Sequence, residues 1–225
     1  MPTNREQGDN IQIMLRIHSY ESMGTFDGPG LRLVVFLQGC NFRCLYCANP
    51  DTIDACGGKP TPAEEILRMA TDQKPFFGRR GGVTFSGGEP TFQAAALVPL
   101  VRQLHGAGIH VCLDSNGGVW NPAVEELLGL VDLVLLDIKQ AYLAGVDPIE
   151  FFREFSDNIC HIHLSDHDEN HKCMPPFDGK FDFAALFSLM KETGYSGDCV
   201  IELYRSGFER IDQLTDSMHM LERLY

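Results

Sequence analysis

Apolar residues fall along this chain in short blocks, and the stretches between the blocks carry a different period. Residues 31–37, Leu-Arg-Leu-Val-Val-Phe-Leu, form a near-continuous apolar run. Such a run marks a strand buried on both faces. Blocks at Gly81–Ser86, Ile109–Asp114 and Val131–Lys139 predict three more strands. Between them, Thr61-Pro-Ala-Glu predicts a helix start, with Thr61 as cap, Pro62 in the first turn and Glu64 completing a capping box. Ile66, Leu67 and Met69 supply its apolar face. Residues 92–105 are helical in period, with Pro99 predicting a kink or a later start. Asn121-Pro-Ala-Val opens another capped helix.

The last third continues the alternation. Asp147-Pro-Ile-Glu caps a helix, and Ile159–Ser165 reads as a strand with His161 and His163 on one side. Asp182–Thr193 reads as a helix ending at Gly194, Cys199–Tyr204 as a strand, and residues 207–225 as a closing helix. Residues 1–12 read as a disordered tail, with apolar character starting at 11–17. Strand, loop and helix in repetition mean an α/β protein with a parallel sheet and crossover helices, here with six strands. In such sheets ligands gather at the carboxyl ends of the strands.

Composition narrows the class. The chain has 225 residues, 44% hydrophobic and 22% charged, as expected of a globular protein with a substantial core. A net charge of −13 argues against partners that are nucleic acid or anionic membrane. No run of ~18 apolar residues predicts a membrane span, and the polar start lacks the apolar core of a signal peptide. Eight cysteines in that context point to a reducing, cytoplasmic location.

Three of those cysteines, Cys40, Cys44 and Cys47, sit in one C-x3-C-x2-C loop directly after the strand at 31–37. Three thiolates on a short loop can hold three corners of a [4Fe–4S] cube and leave the fourth iron open, whereas electron-transfer clusters use four cysteines. Tyr46 precedes the last of them. Zinc, with Cys56 as a fourth ligand, is the competing use of the spacing. Buried free thiols are the structural alternative, and a disulfide is disfavoured by the compartment.

Three further turns close strands on the same side of the predicted sheet. Gly87-Gly88-Glu89 lets backbone approach a ligand and offers a carboxylate to an ammonium group, or is a plain turn. Asp114 ends a strand, or caps a turn. Asp137 and Lys139 point the same way on theirs, as ligand contacts or as a local ion pair.

With these residues in view, the segment His18-Ser-Tyr-Glu-Ser-Met-Gly-Thr-Phe-Asp-Gly-Pro-Gly-Leu-Arg-Leu, the cysteine loop and Ala48-Asn-Pro-Asp-Thr resemble the pyruvate formate-lyase activating enzymes. These are radical S-adenosylmethionine proteins that activate glycyl radical enzymes. Gly81-Gly-Val-Thr-Phe-Ser-Gly-Gly-Glu-Pro, His110-Val-Cys-Leu-Asp-Ser-Asn-Gly and Leu133-Val-Leu-Leu-Asp-Ile-Lys continue the likeness in the same order, over residues 13–139. The resemblance implies a (β/α)6 partial TIM-like barrel. It implies a [4Fe–4S] cluster on Cys40, Cys44 and Cys47, and S-adenosylmethionine beside Tyr46, Gly87, Gly88, Glu89, Asp114, Asp137 and Lys139. It also implies a monovalent or divalent cation near Asp114 and Asp137, and a peptide entrance near Asp27. The implied activity is reductive cleavage of S-adenosylmethionine to a 5′-deoxyadenosyl radical. The implied partners are a glycyl radical enzyme as substrate and a flavodoxin- or ferredoxin-type electron donor. No residue is assigned a catalytic role of its own.

Residues 134–204 resemble a different family, the sugar phosphate isomerases/epimerases of the xylose isomerase-like TIM barrels. The residues that carry it are Leu136-Asp-Ile-Lys-Gln-Ala, Ala144-Gly-Val-Asp-Pro-Ile-Glu-Phe, His161-Ile-His-Leu-Ser-Asp-His-Asp, Gly194-Tyr-Ser-Gly-Asp and Val200-Ile-Glu-Leu-Tyr. The chain thus reads as a chimera joined near residues 135–141, with 140–225 completing the barrel. That family implies a second metal site on Asp137, His163 and Glu202. The structural alternative has His163 as a core histidine and Glu202 paired with Lys139 or His161. A metal-dependent isomerase and a folded, inactive chimera stand as the competing functions. The replaced strands put activation of a specific partner in doubt.

Overall fold

The computed structural model describes residues 12–43, 47–137, 147–157, 159–168, 173–203 and 208–225. Ten strands and six helices alternate along these residues: β1 (Met14–Gly24), β2 (Arg32–Leu37), β3 (Lys59–Pro62), α1 (Ala63–Phe77), β4 (Gly82–Gly87), α2 (Ala94–Gly106), β5 (His110–Ser115), α3 (Pro122–Leu128) and β6 (Leu133–Asp137) in the first part. There follow α4 (Pro148–Phe155), β7 (Ile159–Leu164), β8 (Asp166–His167), β9 (Cys173–Met174), α5 (Phe183–Thr193), β10 (Asp198–Ile201) and α6 (Asp212–Leu224). The main sheet has eight strands in the order β10-β7-β6-β5-β4-β2-β1-β3, and β8 and β9 form a separate pair. Strands β2, β4, β5, β6, β7 and β10 pair in parallel, in sequence order, as the alternation of elements predicts. The fold is therefore α/β with a mostly parallel, TIM-barrel-like sheet.

Four strands were not anticipated: β1 and β3 in the main sheet, and the short pair β8 and β9. β1 pairs antiparallel with β2, and β3 pairs antiparallel with β1 at the end of the sheet. This corrects the helix start assigned to Thr61. Thr61 lies in β3 opposite Leu15, and its hydroxyl donates to the Lys59 carbonyl at 3.2 Å. Helix α1 begins at Ala63, with Pro62 before it and no side-chain cap. Pro60 and Pro62 lack backbone N–H donors, and an end strand tolerates that loss. The helix expected over 92–105 begins at Ala94 after a 3-10 turn at Pro90–Gln93, and runs through Pro99 rather than starting there.

The other caps are where the sequence put them. Asn121 Oδ1 accepts from the N–H groups of Ala123 and Val124. Asp147 Oδ1 accepts from Ile149 N–H, and Asp182 Oδ1 from Ala185 N–H. Gly194 ends α5 in the left-handed region at φ 70°.

Strand alternation sorts the sheet into two faces. Leu33, Val35 and Leu37 of β2, Val83 and Phe85 of β4, Val111 and Leu113 of β5, Val134 and Leu136 of β6, and Ile162 and Leu164 of β7 join the core that the helices cover. Their alternates face the other way and are largely polar. Arg32 reaches Thr84 there, Ser86 reaches Asp114, and the rings of His161 and His163 meet edge to face at 5.0 Å. Arg32 is fully buried. Its guanidinium donates to Thr84 Oγ1 at 2.6 Å and to the carbonyls of Pro29, Arg80 and Val83 at 2.9, 3.2 and 2.7 Å. These bonds fasten the β1–β2 turn against the amino ends of the strands. Among the described residues no helix is long and apolar enough to cross a membrane.

Candidate functional site

The carboxyl ends of β2, β4, β5 and β6 meet on one side, and three of the turns that follow them are laced together. Gly88 N–H donates to the Leu37 carbonyl at 2.9 Å, and Glu89 N–H to the Gly39 carbonyl at 2.7 Å. The turn after β4 therefore rests on the residue that precedes Cys40. A Cβ on Gly88 would stand 2.3 Å from the Gly39 oxygen, so only glycine permits this approach. Gly39 itself holds φ 101° as the chain enters the cysteine loop. On the loop's far side, Gly39 N–H and Cys40 N–H donate to the carbonyls of Thr52 and Ile53 at 2.7 and 3.2 Å.

Glu89 does something other than meet an ammonium group. Its side chain is 0% exposed. Oε1 accepts from Thr91 N–H, Thr91 Oγ1–H and Ser115 Oγ–H at 3.0, 2.5 and 2.9 Å, and Oε2 accepts from Asn116 N–H at 2.7 Å. A carboxylate offers about four lone-pair directions, and here protein donors take them. Burial pushes the Glu89 pKa up, and these hydrogen bonds pull against it. Direct contact between Glu89 and a ligand is thus corrected to a bracket joining the turns after β4 and β5.

The bracket extends to a residue the sequence showed only as part of a turn. Asn116 Nδ2 donates to Asn41 Oδ1 at 3.0 Å and to Cys40 Sγ at 3.8 Å, and Asn116 Oδ1 accepts from Gly118 N–H at 2.8 Å. Asn41 Nδ2 in turn donates to the Gly118 carbonyl at 3.1 Å. Phe42 N–H donates to Cys40 Sγ at 3.4 Å. Polar turn residues flanking Cys40 and Asp114 were the signal available, and the pairing of Asn41 with Asn116, distant in sequence, could not be read from either alone.

Beside this lies a layer of acids. Asp114 Oδ2 accepts from Ser86 Oγ–H at 2.7 Å. Its pKa is raised to about 7 by burial, with Asp137 and Asp27 adding to the effect and Ser86 and His163 opposing it. Asp137 pairs in register with His163 on the neighbouring strand. His163 Nδ1 lies 3.0 Å from Glu202 Oε2. Burial alone would lower the His163 pKa; the Glu202 hydrogen bond and charge, with Asp114 and Asp137, raise it above the usual value. Burial and His163 lower that of His161.

Two expectations are met by this geometry in part. Glu202 meets His163 rather than His161, because β10 pairs Asp198 with His161 and Val200 with His163, carrying Glu202 past His161, and the alternative partner Lys139 lies outside the described residues. For the second metal site expected on Asp137, His163 and Glu202, no three of His, Cys, Asp and Glu among the described residues are grouped to hold a metal ion. Glu202 meets His163 through Nδ1. Asp27 lies on the turn fixed near the amino end of β2, where its backbone carbonyl accepts from Thr84 Oγ1–H at 2.6 Å. Burial raises its pKa. Cys44, Tyr46 and Lys139 lie outside the described residues.

The chain belongs to two families that share part of its length: the 4Fe-4S single cluster domain, matched over residues 26–143, and the xylose isomerase-like TIM barrel, matched over residues 87–224. It is 53% identical over 129 residues to a pyruvate formate-lyase-activating enzyme of Clostridium pasteurianum, covering 56% of this chain and 53% of that protein. It is 47% identical over 133 residues to the pyruvate formate-lyase 1-activating enzyme of Escherichia coli K12, covering 58% and 54%. The chain spans about half the length of the curated relatives it matches. A solved sugar phosphate isomerase/epimerase from Parabacteroides distasonis superposes with a TM-score of 0.48 at 18% identity, covering 71% of this chain and 63% of that one.

Proposed function

We propose that this protein is a radical S-adenosylmethionine enzyme of the glycyl radical activating type, with a [4Fe–4S] cluster on Cys40, Cys44 and Cys47. The observation that carries the reading is the seating of Cys40. Its sulfur takes N–H groups from Phe42 and Asn116 at 3.4 and 3.8 Å, on a loop held against the Gly87-Gly88 backbone. Soft thiolates with N–H donors aimed at them suit an iron–sulfur cluster. Cys40 and Cys47 are both partly exposed, so the sulfurs are open to a guest.

When bound, the cluster and S-adenosylmethionine supply one-electron chemistry and a hydrogen-abstracting radical, and the protein supplies orientation. Gly87 and Gly88 offer backbone polar groups to the amino group of S-adenosylmethionine, with Glu89 fixing their turn from below. Asp114 and Asp137 sit at the same end of the sheet, and by resemblance Tyr46 and Lys139 join them as contacts of S-adenosylmethionine. A monovalent or divalent cation belongs beside Asp114 and Asp137, supported by the placement of these two acids at the ends of adjacent strands. A glycyl radical enzyme is the proposed protein substrate, a flavodoxin- or ferredoxin-type protein the electron donor, and the cytosol the setting.

The two matched regions overlap across residues 87–143. This supports a core of 13–139 continued by an isomerase-derived 140–225. The test is anaerobic reconstitution with iron and sulfide, reduction, and assay of 5′-deoxyadenosine from S-adenosylmethionine. Product from the parent and none from Cys44→Ala is the expected result. A zinc-loaded, colourless protein would remove the reading.

A further inference from the structure

The hydrogen bonds at Cys40 carry an inference that rests on the cluster reading and goes beyond it. As a free thiol, Cys40 can donate to Asn41 Oδ1 at 3.7 Å. As a cluster ligand it carries no proton and only accepts. Among the described residues, Phe42 N–H at 3.4 Å and Asn116 Nδ2 at 3.8 Å donate to it. The first belongs to the loop backbone itself. The second is a side chain from another strand, and its position is closely determined.

Three bonds fix Asn116. Its N–H is held by the buried Glu89 carboxylate at 2.7 Å, its Oδ1 by Gly118 N–H at 2.8 Å, and its Nδ2 by Asn41 Oδ1 at 3.0 Å. The amide orientation follows from this pattern: Oδ1 faces a donor and Nδ2 faces an acceptor, so Nδ2 is the atom presented to sulfur. Hydrogen bonds to cluster sulfurs stabilise the more negative, reduced state and raise the potential. Donors that must first be ordered cost more than donors already in place, and Asn116 is in place through Glu89.

We propose that Asn116 is a positioning residue that sets the reduction potential of the cluster through its hydrogen bond to the Cys40 sulfur, with Glu89 holding it there. Asn116 acts through Cys40, whose sulfur it reaches.

The test uses the full chain, reconstituted anaerobically, and a potentiometric titration followed by electron paramagnetic resonance. Asn116→Ser keeps an oxygen that can accept from Gly118 N–H but has no group that reaches Cys40. Its potential should fall by an amount equal to about a tenfold change in the reduction equilibrium, or ~59 mV for one electron. Asn116→Asp keeps the acceptor, removes the donor and adds a negative charge beside the sulfur. It should fall further. A cluster in the parent with potentials unmoved in both variants would overturn this inference and leave the cluster reading standing. A parent that assembles no cluster would overturn both. Loss of the cluster from Asn116→Ser alone is judged by Asn116→Asp, where an unchanged or higher potential rejects the proposal and a lower one supports it.

Discussion

The first four parallel strands and the last two end in different ways. After β2, β4 and β5, the turns are braced to one another: Glu89 to Ser115 and Asn116, Asn116 to Asn41, and Glu89 N–H to Gly39. After β7 and β10, the inward side chains form one pair, His163 with Glu202, whose side chains are 28% and 43% exposed. Asp198, Cys199 and Val200 of β10 are exposed, whereas β2 is almost wholly buried. Among the described residues, the hydrogen bonds of this brace run between the turns after β2, β4 and β5. The end that carries the cysteine loop is braced by its own turns, and β7 and β10 extend the sheet on the other side. This is the arrangement the proposed joining of two families' segments would need.

The sharpest way to break this contrast is to cut the brace. Glu89→Ala leaves the N–H groups of Thr91 and Asn116 without the acceptor they use in the interior. Each buried, unsatisfied donor costs about 1–3 kcal/mol. The expected loss is about 3–5 kcal/mol in urea unfolding monitored by circular dichroism, with loss of cluster assembly. Glu202→Ala, the matching cut in the second region, should cost under ~1 kcal/mol, because the pair it breaks is partly solvated. Equal costs at the two positions would show that the regions are not different in kind.

Much of this was legible in the chain, for definite reasons. The six parallel strands follow from apolar blocks alternating with capped helices, and the caps at Asn121, Asp147 and Asp182 are local interactions that a sequence spells out. The antiparallel end of the sheet was not legible. Thr61-Pro-Ala-Glu carries a helix-start signature, and only the pairing of Lys59–Pro62 with Met14–Ile17 puts Thr61 in a strand. The Gly87-Gly88-Glu89 turn could be placed at the right end of its strand, but the duty of Glu89 could not be read, because its partners Ser115 and Asn116 are separated from it by a helix and a strand. The same holds for Glu202, whose choice of His163 depends on the register of β10 against β7.

A second test separates the regions by pH. The folded pKa of Asp114, about 7, lies above the ordinary 3.8. The folded state therefore holds a proton that the unfolded chain releases between those values, and stability falls as pH rises from about 4 to about 7. Asp114→Asn removes this dependence. It should stabilise the protein by on the order of 3 kcal/mol at pH 8, an advantage that disappears as pH falls towards 4. A cation held beside Asp114 and Asp137 would favour the carboxylate and shrink that advantage. Unfolding with and without added sodium, potassium or magnesium reads both effects. A cation-independent gap would keep the pH assignment and remove the cation.

The smallest effect is expected in the second region, and its sign is opposite. Glu202 raises the His163 pKa above its ordinary 6.5, against the lowering effect of burial. The pair therefore contributes fully below pH 6.5 and is lost as pH rises through the folded value. Glu202→Gln should destabilise by under ~1 kcal/mol at pH 6, since both side chains reach solvent, and by nothing measurable at pH 9. In the same variant the His163 imidazole resonances should titrate at lower pH than in the parent, which nuclear magnetic resonance follows directly. Stability falls with rising pH in both cases, but between about 4 and 7 for Asp114 and above 6.5 for His163, and these separate windows would locate the two regions' electrostatics independently. A His163 titration unmoved by Glu202→Gln would mean that Asp114 and Asp137, across the strands, hold the imidazolium instead, and that the second region's charge is set by the first.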